Sequence, residues 1–224
     1  MKRKIITTAD GSKTIQIEDW NEQYHSIHGA YQEAVHVFIK HGLQYMIKLG
    51  ETFEPISILE IGFGTGLNAM LTFQEAQKLD VSINYVGVEA YPVSQEEINQ
   101  LQYDKLFGSD SQSFLNMHEQ HWETPIKLNS NFTLIKRQQF FQEITDANTF
   151  DLIYFDAFGA RVQPDLWTEA IFLKMYQALK PQGVLVTYSA KGSARRAMQA
   201  VGFEVARLPG PPGKREMLRA SKSS

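Results

Sequence analysis

Three acids and one run of glycines carry most of the chemistry this sequence could perform. The run is Glu60-Ile61-Gly62-Phe63-Gly64-Thr65-Gly66-Leu67-Asn68. Glycines permit a sharp turn and let backbone approach a ligand without a Cβ in the way. Their Gly-x-Gly-x-Gly spacing differs from the Gly-x-Gly-x-x-Gly of dinucleotide sites, and no Gly-Lys-Ser/Thr follows as in a P-loop. Glu60, directly ahead, would repel a pyrophosphate. It can help organise the amino-acid portion of a cationic ligand, directly or through water. The combination favours S-adenosylmethionine, which carries a sulfonium and an ammonium group, over a glycine turn with no ligand.

Glu89 ends the run Tyr85-Val86-Gly87-Val88-Glu89-Ala90, where an acid can accept hydrogen bonds from both ribose hydroxyls. Asp156 lies in Tyr154-Phe155-Asp156-Ala157-Phe158, where the transferred group should be. A carboxylate there could orient or deprotonate an amine, because an ammonium nitrogen has no lone pair with which to attack a methyl group. The competing readings are exposed loop acids for Glu60 and Glu89, and a cap of the next segment for Asp156. Phe63, Phe158 and Tyr188 could wall the site and stack on a base or adenine, or pack in the core.

These residues need elements to position them. Lys4 to Thr8 and Lys13 to Glu18 are β-prone runs joined through Asp10-Gly11, a hairpin signal. Trp20 to Ala30 is polar and aromatic. A helix is expected from Ala30 to about Leu49, with Gly50 ending it. Strands at Ile56–Ile61, Ile83–Val88, Phe132–Ile135, Asp151–Phe155 and Gly183–Tyr188 alternate with helices. The helices are expected at Leu67–Leu79, Ser94–Leu106, Phe140–Thr145, Pro164–Leu179 and Ala194–Val201, and strands near Phe203–Leu208 and Glu216–Arg219 close the chain. That order predicts βαβ units: a Rossmann-like α/β fold with a mostly parallel seven-stranded sheet, helices on both faces and an N-terminal hairpin and helix. The expected division is an extension over 1–50 and a methyltransferase domain over 51–224. The polar stretch 107–127, with His118, His121 and Trp122, breaks the alternation. It is expected as an insertion near the strand ends, where α/β ligands bind.

Composition sets the outer limits. The 224 residues are 43% hydrophobic and 21% charged, ordinary for a globular domain. Cysteine is absent, which excludes disulfides and cysteine-based metal sites. His25 with His28, or His118 with His121, have metal-compatible spacing only if helical and without a clear third ligand, so no metal is expected. No run spans a membrane and the basic start lacks a signal-peptide core, so the chain reads as cytoplasmic. The net charge of −3 hides an asymmetry: from Thr187 onward eight Lys/Arg face two acids. This is either a phosphate-binding face or a solvated one.

At these residues the chain resembles the methyltransferase domain of the bacterial MnmC-type tRNA wobble-uridine modification family, in stand-alone form. The resemblance rests on the stretch from Glu60 to Asn68, and on Phe155-Asp156-Ala157-Phe158 with Pro164-Asp165-Leu166-Trp167. It rests also on Gly213-Lys214-Arg215-Glu216-Met217-Leu218 and, more weakly, on Tyr24-His25-Ser26 with His36-Val37-Phe38-Ile39. It implies methylation of the exocyclic amine of 5-aminomethyl-2-thiouridine at the tRNA wobble position. Glu60, Gly62, Phe63, Gly64, Gly66, Asn68, Glu89 and Asp156 would then hold S-adenosylmethionine. Asp156 would meet the amine near the cofactor, with Phe158 and Tyr188 nearby. Lys214 and Arg215 would lie at the active-site mouth or on the RNA backbone near the anticodon.

The pattern departs from the family at Gln163-Pro164 and Pro211-Pro212. The family's flavin-dependent domain is not contained in the 224 residues, so the expected enzyme acts on an amine made elsewhere, or on a diverged substrate. Direct in-line transfer, with catalysis mainly from positioning, is the expected mechanism. Two other readings stay open: an N-methyltransferase or polyamine-synthase-like enzyme acting on a small molecule, and a non-catalytic cofactor- and RNA-binding module. The oligomeric state is not legible.

Overall fold

The structure, a computed structural model, describes residues 2–50 and 55–223. The expected division at residue 51 falls at 51–54, outside the described residues. Strands β1 (Arg3–Thr7) and β2 (Lys13–Ile17) pair antiparallel, and β3 (Glu22–Gln23) adds to β2. Next comes α1 (Ala30–Ala34), a π-helical stretch (Val35–Leu43) and α2 (Gln44–Lys48), in unbroken succession. The alternating part follows as β4 (Ile56–Ile61), α3 (Leu67–Leu79), β5 (Ile83–Val88), α4 (Gln95–Leu101), α5 (Asp104–Phe107) and α6 (Ser111–Glu119). It continues with β6 (Ile126–Asn129), β7 (Phe132–Arg137), β8 (Phe150–Phe155), α7 (Glu169–Ala178), β9 (Leu179–Thr187), α8 (Gly192–Ala200), β10 (Glu204–Pro209) and β11 (Glu216–Ser221).

The main sheet has the order β10-β11-β9-β8-β4-β5-β7-β6. Strands β9, β8, β4, β5 and β7 run parallel, and β11 inserts antiparallel between β9 and β10. This is the expected Rossmann-like α/β architecture. From β4 the chain winds outward through β5 and β7, then returns to build β8 and β9 on the other side. The order therefore reverses between β4 and β8, and the crevice outside their carboxyl ends is where such sheets bind ligands.

Several boundaries differ from expectation. The sheet has eight strands, not seven, because β6 begins at the end of the expected insertion and pairs antiparallel with β7 at the edge. Four residues with one buried position, Ile126, leave little periodicity to read. Gln102, at φ +53°, ends α4 before α5 begins, which splits the expected 94–106 helix. Thr168 is extended (φ −94°, ψ 163°) and separates a 3₁₀ turn, Pro164–Trp167, from α7. The expected 140–145 helix is only a 3₁₀ turn over Phe141–Glu143.

A strand side chain alternates between faces, and the sheet separates two apolar clusters accordingly. Ile58, Tyr85, Leu152 and Tyr154 pack on one side with Phe38, Leu43, Met70 and Phe73 from the long N-terminal helix and α3. Leu59, Ile61, Ile153 and Phe155 pack on the other with Phe172, Met175 and Met198 from α7 and α8. Among the described residues no helix is long and apolar enough to cross a membrane.

Candidate active site

The glycine run forms the turn between β4 and α3. Gly62, Gly64 and Gly66 all take positive φ, at +91°, +51° and +73°. A Cβ on Gly62 would lie 2.7 Å from the carbonyl oxygen of Asp156, so the β4 and β8 ends meet only because this residue has none. The turn is pinned by Gly62 and Phe63 N–H, which both donate to Val88 O at 3.0 Å, and by Asp156 N–H, which donates to Ile61 O at 2.9 Å.

Behind the turn lies a chain of polar contacts. Glu60 shares its strand face with Ile58, so its carboxylate points toward α3. It is fully buried and accepts from Asn68 Nδ2 and from the Tyr85 hydroxyl, both at 2.8 Å. Asn68 Nδ2 also donates to Asp156 Oδ2 at 2.8 Å, so one amide bridges two carboxylates. Burial pushes Glu60 well above the ordinary glutamate range and Asp156 raises it further; Asn68 and Tyr85 oppose the shift. Burial raises Asp156 likewise, with Glu33 adding to the shift and Asn68 and Lys214 opposing it. Glu89 accepts Gly64 N–H at 3.1 Å and Tyr91 N–H at 3.0 Å, and burial raises it in spite of these bonds.

These raised acids have a measurable consequence. Folding raises Glu60 above its ordinary value of 4.5, so its contribution to stability is full below that value and is lost as pH rises through the raised one. Glu60→Gln is expected to flatten this fall. Its melting temperature should exceed that of the unaltered protein at about pH 8 and approach it at about pH 5, by scanning calorimetry. Parallel melting curves across that range would mean that Glu60 is not the group responsible.

In front of the turn is a cavity of about 510 Å³, within the usual size range of small-molecule sites. Gly62, Gly64, Glu89, Asp156 and Ala157 line its sheet side. Its outer wall comes from the N-terminal segment, with Trp20, Tyr24, His25, His28 and Glu33, and the loop after β8 contributes Phe158 and Leu166. Phe158 meets Tyr24 edge-on at 4.9 Å and Trp20 at 5.8 Å between ring centroids. Arg161 fastens the two walls, donating to Trp20 O, Asn21 O and, at 2.6 Å, the Glu22 carboxylate. Arg3 donates to Tyr91 O and Pro92 O and to Glu97, which ties β1 to the loop beyond Glu89.

The expected site residues therefore divide. Gly62, Gly64, Glu89, Asp156, Phe158, Tyr188 and Lys214 line the cavity. Glu60, Phe63, Gly66 and Asn68 do not; they form its backing. Phe63 is 2% exposed and its ring lies on Gly87, where no Cβ could fit, so it does not stack on a ligand. Its other neighbours are His118 and Trp122. The 107–127 segment thus supports the glycine turn from behind and contributes nothing to the cavity wall. Burial holds the His118 imidazole down to about 3, so it is neutral and donates from Nε2 to Thr65 O at 3.1 Å. Lys214 pairs with Glu33 rather than standing free for phosphate, and Arg215 lines a shallow groove beside the cavity with Ser189 and Ala190. The described residues contain no group of three or more potential metal ligands.

Sequence reading missed Glu33, Trp20 and Tyr24. Glu33 had a signal: with Ala30, Ala34 and Val37 it occupies positions i, i+3, i+4 and i+7 of a helix, so it is an acid on the buried stripe. The role of the aromatic segment is fixed by contacts with residues more than 130 positions away, which no local pattern reports.

Comparison with known proteins adds family and fold. A family model described as S-adenosyl-L-methionine-dependent methyltransferase matches residues 94–223, more than half of the chain. A tRNA 5-methylaminomethyl-2-thiouridine biosynthesis bifunctional protein MnmC from Pseudomonas syringae pv. tomato is 27% identical over 91% of this chain and 32% of its own length. The chain thus spans about a third of the length of the curated relatives it matches. Among solved structures, MnmC2 from Aquifex aeolicus superposes with a TM-score of 0.79 at 23% identity, over 100% of this chain and 71% of that one. A spermidine synthase from Thermotoga maritima superposes at 0.58 and 16% identity, over 99% and 68%.

Proposed function

The chain belongs to the S-adenosyl-L-methionine-dependent methyltransferases, and from that membership we propose that it methylates the exocyclic amine of 5-aminomethyl-(2-thio)uridine at the wobble position of tRNA. The observation that carries this reading is a carboxylate, Asp156, at the floor of an aromatic-walled cavity beside the glycine turn. A carboxylate can take the proton of an alkylammonium, and ring faces can hold a flat base. The bifunctional relatives, proteins of tRNA 5-methylaminomethyl-2-thiouridine biosynthesis, support the same acceptor.

The donor set of the cavity fits S-adenosylmethionine. Glu89 opens on it and accepts backbone N–H groups from Gly64 and Tyr91, which leaves lone pairs for two ribose hydroxyls. Gly62 and Gly64 offer backbone without side chains. Glu60, Phe63, Gly66 and Asn68 hold that backbone in place from behind. When bound, S-adenosylmethionine supplies an electrophilic methyl group on sulfonium. Asp156 orients the acceptor amine and takes its proton at the carboxylate oxygen not held by Asn68. Phe158 and Tyr188 flank the base, and the N-terminal wall excludes water.

Residues 1–50 act in this reading as an extension that covers the methyltransferase domain, with 107–127 bracing the glycine turn. Arg215 and the exposed C-terminal cations contact the RNA backbone in the anticodon region, and such an enzyme works in the cytoplasm. Nucleoside mass spectrometry of tRNA from a deletion strain, with rescue by the purified protein, tests the acceptor. The expected result is an unmethylated 5-aminomethyl uridine that the protein and S-adenosylmethionine convert. Small amines or free nucleosides methylated as well as tRNA would replace it with the small-molecule reading. Affinity for tRNA should fall linearly on a log–log plot against salt, with a slope of about −0.7 to −0.9 per phosphate contact. A salt-insensitive complex would remove the backbone contacts from the account.

A further inference from the structure

The expected chemistry leaves one ion pair in the cavity wall unexplained. Glu33, on α1, is 7% exposed and lines the cavity. It pairs with Lys214, 181 residues away on the loop between β10 and β11. The Lys214 ammonium lies 3.9 Å from the centre of the Tyr188 ring, a cation–π contact. The Tyr188 hydroxyl in turn donates to Ala157 O at 2.8 Å, one residue beyond Asp156. Three separate elements thus hold one acid and one base at the end of the cavity where Asp156 stands.

Glu33 is buried and Lys214 is half-buried, so the pair is a poor source of stability, since desolvation and solvent screening offset the attraction. Its effect on a neighbouring carboxylate is strong, because charges interact over several ångströms away from bulk water. The two partners act on Asp156 in opposite senses: Glu33 disfavours its charged form and Lys214 favours it. The other groups around Asp156 are Asn68 and Glu60 on the α3 side, with Tyr85 bonded to Glu60, and Tyr188 after β9, which itself faces Glu33 and Glu22. None of these is a cation, so Lys214 is the positive charge in the set.

We propose that Glu33 and Lys214 are positioning residues of the transfer site: Glu33 holds the lysine ammonium on the Tyr188 ring beside Asp156, and the pair sets how readily Asp156 accepts the proton of the acceptor amine. The proposal rests on the amine-methylation reading above. It makes the two halves of one ion pair behave oppositely when removed. Glu33→Gln takes away a repelling charge but keeps an amide oxygen that accepts from Lys214, which also rests on the Tyr188 ring, so Asp156 stays ionised to lower pH. Lys214→Met leaves Asp156 facing acids alone, so it stays protonated to higher pH.

The test is the pH profile of kcat for tRNA methylation in the two variants and in Lys214→Arg, which keeps the charge. The acid limb is expected to move down by about one pH unit or more in Glu33→Gln and up by a similar amount in Lys214→Met. Lys214→Arg should stay near the unaltered profile. A ¹³C carboxyl titration of Asp156, identified by its loss in Asp156→Asn, reads the same shifts without any acceptor. It therefore still decides the matter if tRNA proves not to be the substrate. Limbs or titrations that stay together, or that move the same way in both variants, would overturn the proposal, because a purely structural pair lowers melting temperature and overall rate alike. If the unaltered protein fails to methylate tRNA while the carboxyl titrations part as expected, the acceptor is wrong and the pair's role stands.

Discussion

Asp156→Asn should lower kcat by about 10²–10⁴-fold, the usual contribution of a positioned acid–base group, with the affinity for S-adenosylmethionine nearly unchanged. Asparagine has almost the same shape as aspartate and can still accept from Asn68, so the crevice between β4 and β8 should keep its form. What it loses is the capacity to take a proton. The substitution should not destabilise the protein. Burial and Glu33 raise Asp156 in the folded state, so its ionised form costs stability at neutral and alkaline pH. The variant is accordingly expected to melt no lower than the unaltered protein at about pH 8. Single-turnover methylation and calorimetric cofactor titration on the same preparation separate the two effects. Near-wild-type turnover would remove Asp156 from the chemistry, and a parallel loss of cofactor affinity would move its role to binding.

Glu89→Ala carries the second large effect, on binding rather than rate. Two hydrogen bonds from ribose hydroxyls to a carboxylate are worth about 1.5–3 kcal/mol each, and every 1.4 kcal/mol is tenfold in Kd. The same carboxylate accepts the N–H of Gly64 and of Tyr91, so its loss also loosens the glycine turn. The Kd for S-adenosylmethionine is expected to rise by at least about 10²-fold. Glu89→Gln keeps one acceptor oxygen and should fall between. If titration finds Kd for Glu89→Ala within a factor of about three of the unaltered protein, Glu89 is a loop brace and the ribose is held elsewhere.

Local pattern carried the reading wherever the physics is local. The glycine turn was legible because positive φ and close backbone approach favour one residue type, and all three glycines take it. The strands at Ile56–Ile61 and Ile83–Val88 were legible because parallel strands covered on both faces read as mostly apolar runs, broken here at Ser57, Glu60 and Asn84. The antiparallel edge strand β6 was not, since four residues at a sheet edge carry too little pattern. The breaks at Gln102 and Thr168 were hidden by apolar spacing that continued on either side of them.

The sequence by itself determined the βα alternation, the turn after β4 and the presence of acids at three strand ends, because each depends on neighbours a few residues apart. Tertiary structure alone decided which of those acids open on the cavity. Glu60 and Asp156 leave the sheet on the same face, yet one is sealed under Asn68 and the other meets the pocket. That difference is set by where α3 and the N-terminal segment come to rest. The same is true of Glu33 on Lys214 and Trp20 on Phe158: contacts across more than a hundred residues form only when separate layers pack. Their energies depend on burial and distance in the folded chain, and neither is written in residue order.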